Sequence, residues 1–192
     1  MYTEGERNVR GMERKIRSIY CLLAAVIVFA LASCSEEARR QTRDTESHTE
    51  ETSVAETSPV HVDKKVIRNI DWRVSPVFSS GDYQMRGVPN KVAFIDAPFV
   101  ANQNGKYMWH FWGDSIPEGK LTIVAVQEGS GAITPALTLD GKSVWTTGEL
   151  GGPNNGADAH LPSNMMLGER GKWALLVYIG DTFWDYVVVE VK

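Results

Sequence analysis

Hydrophobic positions along the chain fall into three regimes. A polar, basic start leads into an unbroken apolar run from Ile19 to Ala32. A stretch from Ser35 to about Asp63 then carries no aromatic residue and is rich in Ser, Thr and Glu. From about residue 70 the apolar residues come in short bursts divided by turn-forming residues, and all six Trp lie there. Short bursts of this kind predict strands. The bursts are Val92–Ile95, Tyr107–Trp112, Leu121–Gln127, Trp173–Ile179 and Phe183–Val191. Asn104-Gly105 introduces the second, and Gly113-Asp114 stops it. Gly180-Asp181 between the last two is a two-residue hairpin signal of type II′, with Gly at the first central position.

Along Trp173–Ile179 both alternate sets are apolar, Trp173, Leu175, Val177 and Ile179 on one face and Ala174, Leu176 and Tyr178 on the other. That predicts a central strand covered on both sides, with the Trp173 face turned into the core. Pro162 before Ser163–Leu167 and Gly168 after it predict one short helix there. Strands at this spacing with no βαβ alternation predict an all-β antiparallel sandwich.

The first two regimes predict an address. Fourteen apolar residues span about 21 Å as a helix, short of the roughly 30 Å hydrocarbon core. Preceded by Arg14, Lys15 and Arg17, the run is a secretory signal. Met12 begins a tidier signal than Met1, because Glu4 and Glu6 dilute the positive charge of the longer start. Leu31-Ala32-Ser33-Cys34 resembles a bacterial lipobox. The resemblance implies a diacylglycerol thioether on Cys34, cleavage before it, added acyl chains such as palmitate, and anchoring at the extracytoplasmic face of the cell membrane. Two chains hold a protein stably where one does not. The aromatic-free run cannot bury enough apolar area to order itself, so it is a stalk. Its 29 residues reach about 30 Å as a coil. The expected organisation is a signal peptide over 1–33, the lipidated Cys and stalk over 34–68, and the sandwich over 69–192.

Cleavage removes five basic and three acidic residues, leaving 15 and 21 and a net charge of −6. No basic excess supports nucleic acid binding. Cys21 leaves with the signal and Cys34 takes the lipid, so thiol catalysis and disulfides are excluded for the mature chain.

The carboxyl-terminal part resembles an immunoglobulin-like domain. Leu161-Pro162-Ser163, Met166-Leu167 and Gly171–Val177 look like the turn before the penultimate strand and that strand. The segment ending Val187–Lys192 looks like the last strand of the final pair, and Trp109 sits where such sandwiches often place a buried Trp. The inter-sheet Cys pair is missing. Residues 70–192 also resemble uncharacterised lipoproteins of bacillus-type Gram-positive bacteria, a family that implies no catalytic residues.

Candidate chemistry is sparse. No HExxH, GxSxG or Ser-x-x-Lys pattern occurs. His110 and Asp114 are four apart, and Asp158 and His160 two apart; converging, they would make a metal or acid–base site for a small hydrolase or metal-dependent enzyme. Gly113 is expected to break the strand before Asp114, and His110 to lie on the outer face beside Met108 and Trp112. Met85, Met108, Met165 and Met166 are soft-metal ligands elsewhere but ordinary core fillers here. The loop from Gly148 to Gly156 holds four Gly, two Asn and a Pro; it is read as an inter-strand connection that could otherwise cradle a ligand with Glu149 and Asp158. His48 and His61 fall in the stalk. Trp109, Trp112, Trp145 and Trp184 are candidate sugar-stacking residues, of which alternation sends at least half inward. The expectation is a non-catalytic binding or envelope-interaction domain without cofactor or metal. Its partners are the membrane through Cys34, and an envelope protein or a glycan meeting Trp112, Trp184, His110 and His160.

Overall fold

The computed structural model describes residues 57–192. The signal segment, Cys34 and His48 lie outside the described residues. Among the described residues one short helix precedes twelve strands. The helix is α1 (Lys64–Arg68). The strands are β1 (Val77–Ser80), β2 (Tyr83–Val88), β3 (Val92–Ile95), β4 (Gly105–Phe111), β5 (Lys120–Gln127), β6 (Ile133–Pro135), β7 (Leu137–Leu139), β8 (Lys142–Val144), β9 (Thr146–Glu149), β10 (Ala159–Met165), β11 (Gly171–Ile179) and β12 (Thr182–Val191).

Two antiparallel sheets result, one ordered β1-β2-β3-β4-β10-β7-β8 and the other β12-β11-β5-β6, with β9 also paired to β5. The stretch β3-β4-β10-β7 facing β12-β11-β5-β6 has the A-B-E-D and G-F-C-C′ order of immunoglobulin-like sandwiches. Trp109 lies on β4, the B position, whereas the Trp usual in such folds lies on strand C. It is nonetheless fully buried.

Between the sheets sit Phe94, Tyr107, Trp109 and Phe111 from one side, and Leu121, Ile123, Trp173, Leu175, Val177 and Val187 from the other. β11 is central, paired to β12 and β5 along most of its length. Its alternate residues Ala174, Leu176 and Tyr178 join Val124, Val126, Trp145 and Val188 on the outer face. That apolar face is covered by Val60 and Ile70, with Val62, Val66, Ile67 and Trp72 packed against it. Asp63 caps α1 by accepting from the Lys65 N–H at 2.7 Å. The folded unit therefore takes in residues that composition alone gives to the stalk. Polar neighbours hide them in a composition average, but a sheet apolar on both faces requires a cover.

The helix expected over Ser163–Leu167 is instead the end of β10, paired to β4 from Ala159↔Phe111 to Met165↔Gly105. Proline is tolerated there for a specific reason. His160 pairs its N–H and C=O with Gly151, away from β4, and Pro162 has the same parity. Pairing with β7 begins only at Asn164, so the missing N–H of Pro162 faces no strand. The final hairpin is as expected: Ile179 pairs with Thr182, and Gly180 has φ 56.

Candidate functional site

His110, Trp112 and His160 lie on the outer face of the seven-stranded sheet, while Trp184 of β12 packs against the inter-sheet core. Trp109 and Phe111 point inward, so His110 of β4, and Trp112 just past its end, point outward. His160 is the direct cross-strand partner of His110. The Gly-rich loop is what makes this face unusual. Asn155 and Gly156 both have positive φ, 51 and 79, and Asn154 and Ala157 exchange both backbone hydrogen bonds. This is a type I′ turn, for which Asn-Gly is the favoured pair. The loop folds back over β4 and β10, with Gly151 and His160 exchanging backbone bonds.

Side chains clasp it there. His110 Nδ1 meets the Met108 carbonyl at 3.1 Å, and its Nε2 meets Asn155 Nδ2 at 3.1 Å. Ser80 Oγ donates to the Asn155 carbonyl at 3.0 Å, and Trp112 Nε1 to the Gly156 carbonyl at 2.7 Å. His160 Nδ1 donates to the Gly152 carbonyl at 2.6 Å. His110 is 0% exposed although it faces away from the core. Burial holds its imidazole below the ordinary histidine range, and the positive form of His160 pushes the same way against the Met108 carbonyl.

Trp184 joins this locus through a bulge. The partner of β11 jumps from Asp185 opposite Val177 to Phe183 opposite Tyr178, leaving Trp184 as the extra residue. A bulge re-aims a side chain. Here the indole donates to the Lys91 carbonyl at 3.1 Å while the Lys91 ammonium lies 3.1 Å from the ring centroid. The same carbonyl accepts from Trp112 N–H at 3.0 Å. Trp112 also packs on His110 and Phe78, with centroids 6.1 Å away in each case.

Trp112, Trp184, His110 and His160 are thus brought together, but not as open stacking surfaces. One face of Trp184 carries a lysine, and His110 is covered. Trp109 and Trp145 are buried, which removes them as sugar platforms. Asp158 accepts from the Gly113 N–H at 2.9 Å, and Asp114 is exposed. Among the described residues no group of three or more His, Cys, Asp or Glu is placed to hold a metal ion. Met165 lies in the core while Met108 faces outward, so the methionines form no shared ligand set. His61 is exposed. Ser80, Lys91 and Asn155 belong to the locus and were not candidates; only the Asn155-Gly156 dipeptide carries a sequence signal for its role.

Residues 61–189 match the family described as Domain of unknown function (DUF4871). The chain belongs to this family. It is similar to a solved structure described as "X-ray Crystal Structure of a Putative Lipoprotein from Bacillus anthracis", with 29% identity and a TM-score of 0.62. The match covers 73% of this chain and 99% of that one. No curated protein matches the chain. Among the described residues no helix is long and apolar enough to cross a membrane.

Proposed function

We propose that this DUF4871 protein is a lipid-anchored extracytoplasmic protein whose sandwich acts by binding or envelope contact and not by catalysis. The observation that carries the reading is the order of the chain: a basic start, the apolar run, Leu31-Ala32-Ser33-Cys34, an aromatic-free spacer, then a domain similar to a Bacillus anthracis protein described as a lipoprotein. Two acyl chains on Cys34 hold the protein, and the spacer lifts the sandwich toward the envelope layer.

The non-catalytic part draws on the state of the candidate groups. Both nitrogens of His110 are engaged, His160 Nδ1 is tied to Gly152, and the Asp158 carboxylate serves the Gly113 amide. His110, the buried imidazole of the set, offers no free lone pair to a substrate proton, and His160 keeps one only at Nε2, with its Nδ1 tied to the loop rather than to an orienting carboxylate. The partner surface is the region around Trp112 and Trp184, whose partly buried indoles, one carrying Lys91, favour an envelope protein over a stacked glycan.

Protease treatment of intact cells tests the location. The sandwich is digested or shed from the surface while a cytoplasmic marker stays whole. Digestion only after lysis would overturn the extracytoplasmic reading.

A further inference from the structure

We propose that His110 is an acid-sensitive latch, whose protonation releases the 150–157 loop from the outer face of the seven-stranded sheet and uncovers Trp112. The latch rests on hydrogen-bond polarity. Met108 offers a carbonyl, which only accepts, so His110 Nδ1 carries the proton. Nε2 is then the acceptor for the Asn155 amide N–H. The opposite amide orientation would demand a charged imidazole in a site with no exposed surface.

A proton on Nε2 turns this contact into donor facing donor. It also leaves a buried cation with nothing to compensate it. Residues 150–157 carry no charged side chain, and neither does β1. The titratable groups on the surrounding elements are His160 and Asp158 from β10 and its approach, Lys91 at the entry to β3, and Asp82 in the β1–β2 turn. His160 repels a charged His110. Asp158 is committed to the Gly113 amide, and Lys91 to the Trp184 ring.

The loop is built to move as a unit. Its type I′ turn is closed by its own backbone bonds between Asn154 and Ala157, which survive lifting. Leu150 stays packed against the core at the base of the loop, and what lifting of its tip breaks is the Gly151–His160 backbone pair, the cover over Ala157 and the contacts from His110, Ser80, Trp112 and His160. The sign follows from linkage. The open imidazole titrates near its ordinary 6.5 and the latched one lower. The latch is therefore at full strength above about 6.5 and weakens as pH falls below that value, until the latched form itself is protonated. That ambient pH reaches the latch rests on the extracytoplasmic reading; the latch itself does not, and purified protein tests it alone.

The test is hydrogen exchange by mass spectrometry on the full chain at pH 7.5 and pH 5, corrected for intrinsic exchange. Peptides containing Gly151 and His160 should exchange faster at pH 5 than at pH 7.5, while β11 peptides stay protected. His110→Gln, which does not titrate, should abolish the difference. Followed at several pH values between 5 and 7.5, His160→Gln should raise exchange of the loop at every pH, by losing the Gly152 contact, and also move the midpoint of the pH effect upward, an arm that holds even where the His110 variant fails to fold. Uniform protection at both pH values, an unchanged pH effect in His110→Gln, or β11 opening together with the loop would overturn the latch.

Discussion

Trp109 offers a quantitative test of how the sandwich is held together. It is fully buried, with Phe94 edge-on at a centroid distance of 5.0 Å and Phe111 stacked at 6.4 Å. Its indole N–H donates to Ser163 Oγ at 3.2 Å, joining β4 to β10 inside the core. Trp109→Ala removes the ring and leaves a cavity between two sheets that backbone pairing keeps from collapsing. The cost should lie at the upper end of about 3–5 kcal/mol, with about 1 kcal/mol more from the stranded Ser163 hydroxyl. Against a typical stability of about 5–15 kcal/mol that approaches complete unfolding. The informative variants are milder. Trp109→Phe keeps a ring against Phe94 but loses volume and the hydrogen bond, a cost of about 2 kcal/mol. Ser163→Ala loses only the bond and should cost about 1 kcal/mol. In Trp109→Phe/Ser163→Ala the hydroxyl is no longer stranded, so the double variant should be more stable than the sum by about 1 kcal/mol. Urea unfolding followed by far-ultraviolet circular dichroism measures all four variants. Strict additivity, or a Trp109→Ala cost below about 2 kcal/mol, would refute both the hydrogen bond and the packed interior around it.

Three further expectations follow from other parts of the molecule. Trp173→Ala should cost about 3–5 kcal/mol in urea unfolding and Trp112→Ala and Trp184→Ala clearly less, since Trp173 is buried between the sheets, Trp184 only partly buried against the same core, and Trp112 on the outer face; equal losses would contradict these placements. Burial raises the Asp185 carboxyl above its ordinary 3.8, against the Tyr186 N–H and Lys91, so ionisation opposes folding as pH rises through that window. Asp185→Asn should therefore raise the melting temperature at pH 7 and give no gain below about pH 3.8, and an unchanged or lowered value at pH 7 refutes the burial argument. Gly87 has φ 154, and a Cβ there would lie 2.2 Å from the Val92 carbonyl oxygen, so Gly87→Ala should lower the thermal midpoint sharply, whereas Gly141→Ala, with open space around it, should lower it less.

Much of the fold was legible because burial imprints period-two patterns. Trp173–Ile179 announced a strand covered on both faces, and β11 has that place. The Gly180-Asp181 turn was legible for a local reason, the left-handed φ that glycine supplies. Ser163–Leu167 misled because Pro162 and Gly168 punctuate it like a helix. Its strand state depends on β4 alongside, and on a stretch of edge without a partner, neither of which is local. Val60 and Ile70 were hidden for the same reason: what they cover lies more than fifty residues away. At the candidate site the outward direction of His110 followed from alternation, but its burial did not. That depends on a loop whose Asn155-Gly156 turn folds it back over β4 and β10. The meeting of Trp184 with Lys91, whose carbonyl also accepts from the Trp112 N–H, depends on a single bulge, which no residue pattern in β12 announces.

Membrane retention of Cys34→Ala tests the central claim most directly. Wild-type protein should incorporate labelled palmitate and remain in the membrane pellet after an alkaline carbonate wash. Cys34→Ala should incorporate none and appear in the soluble or secreted fraction, because the proposed reading makes the lipid the anchor once residues 1–33 are removed. A variant that still resists the wash would contradict lipid anchoring, and with it the placement of the sandwich as a tethered envelope module.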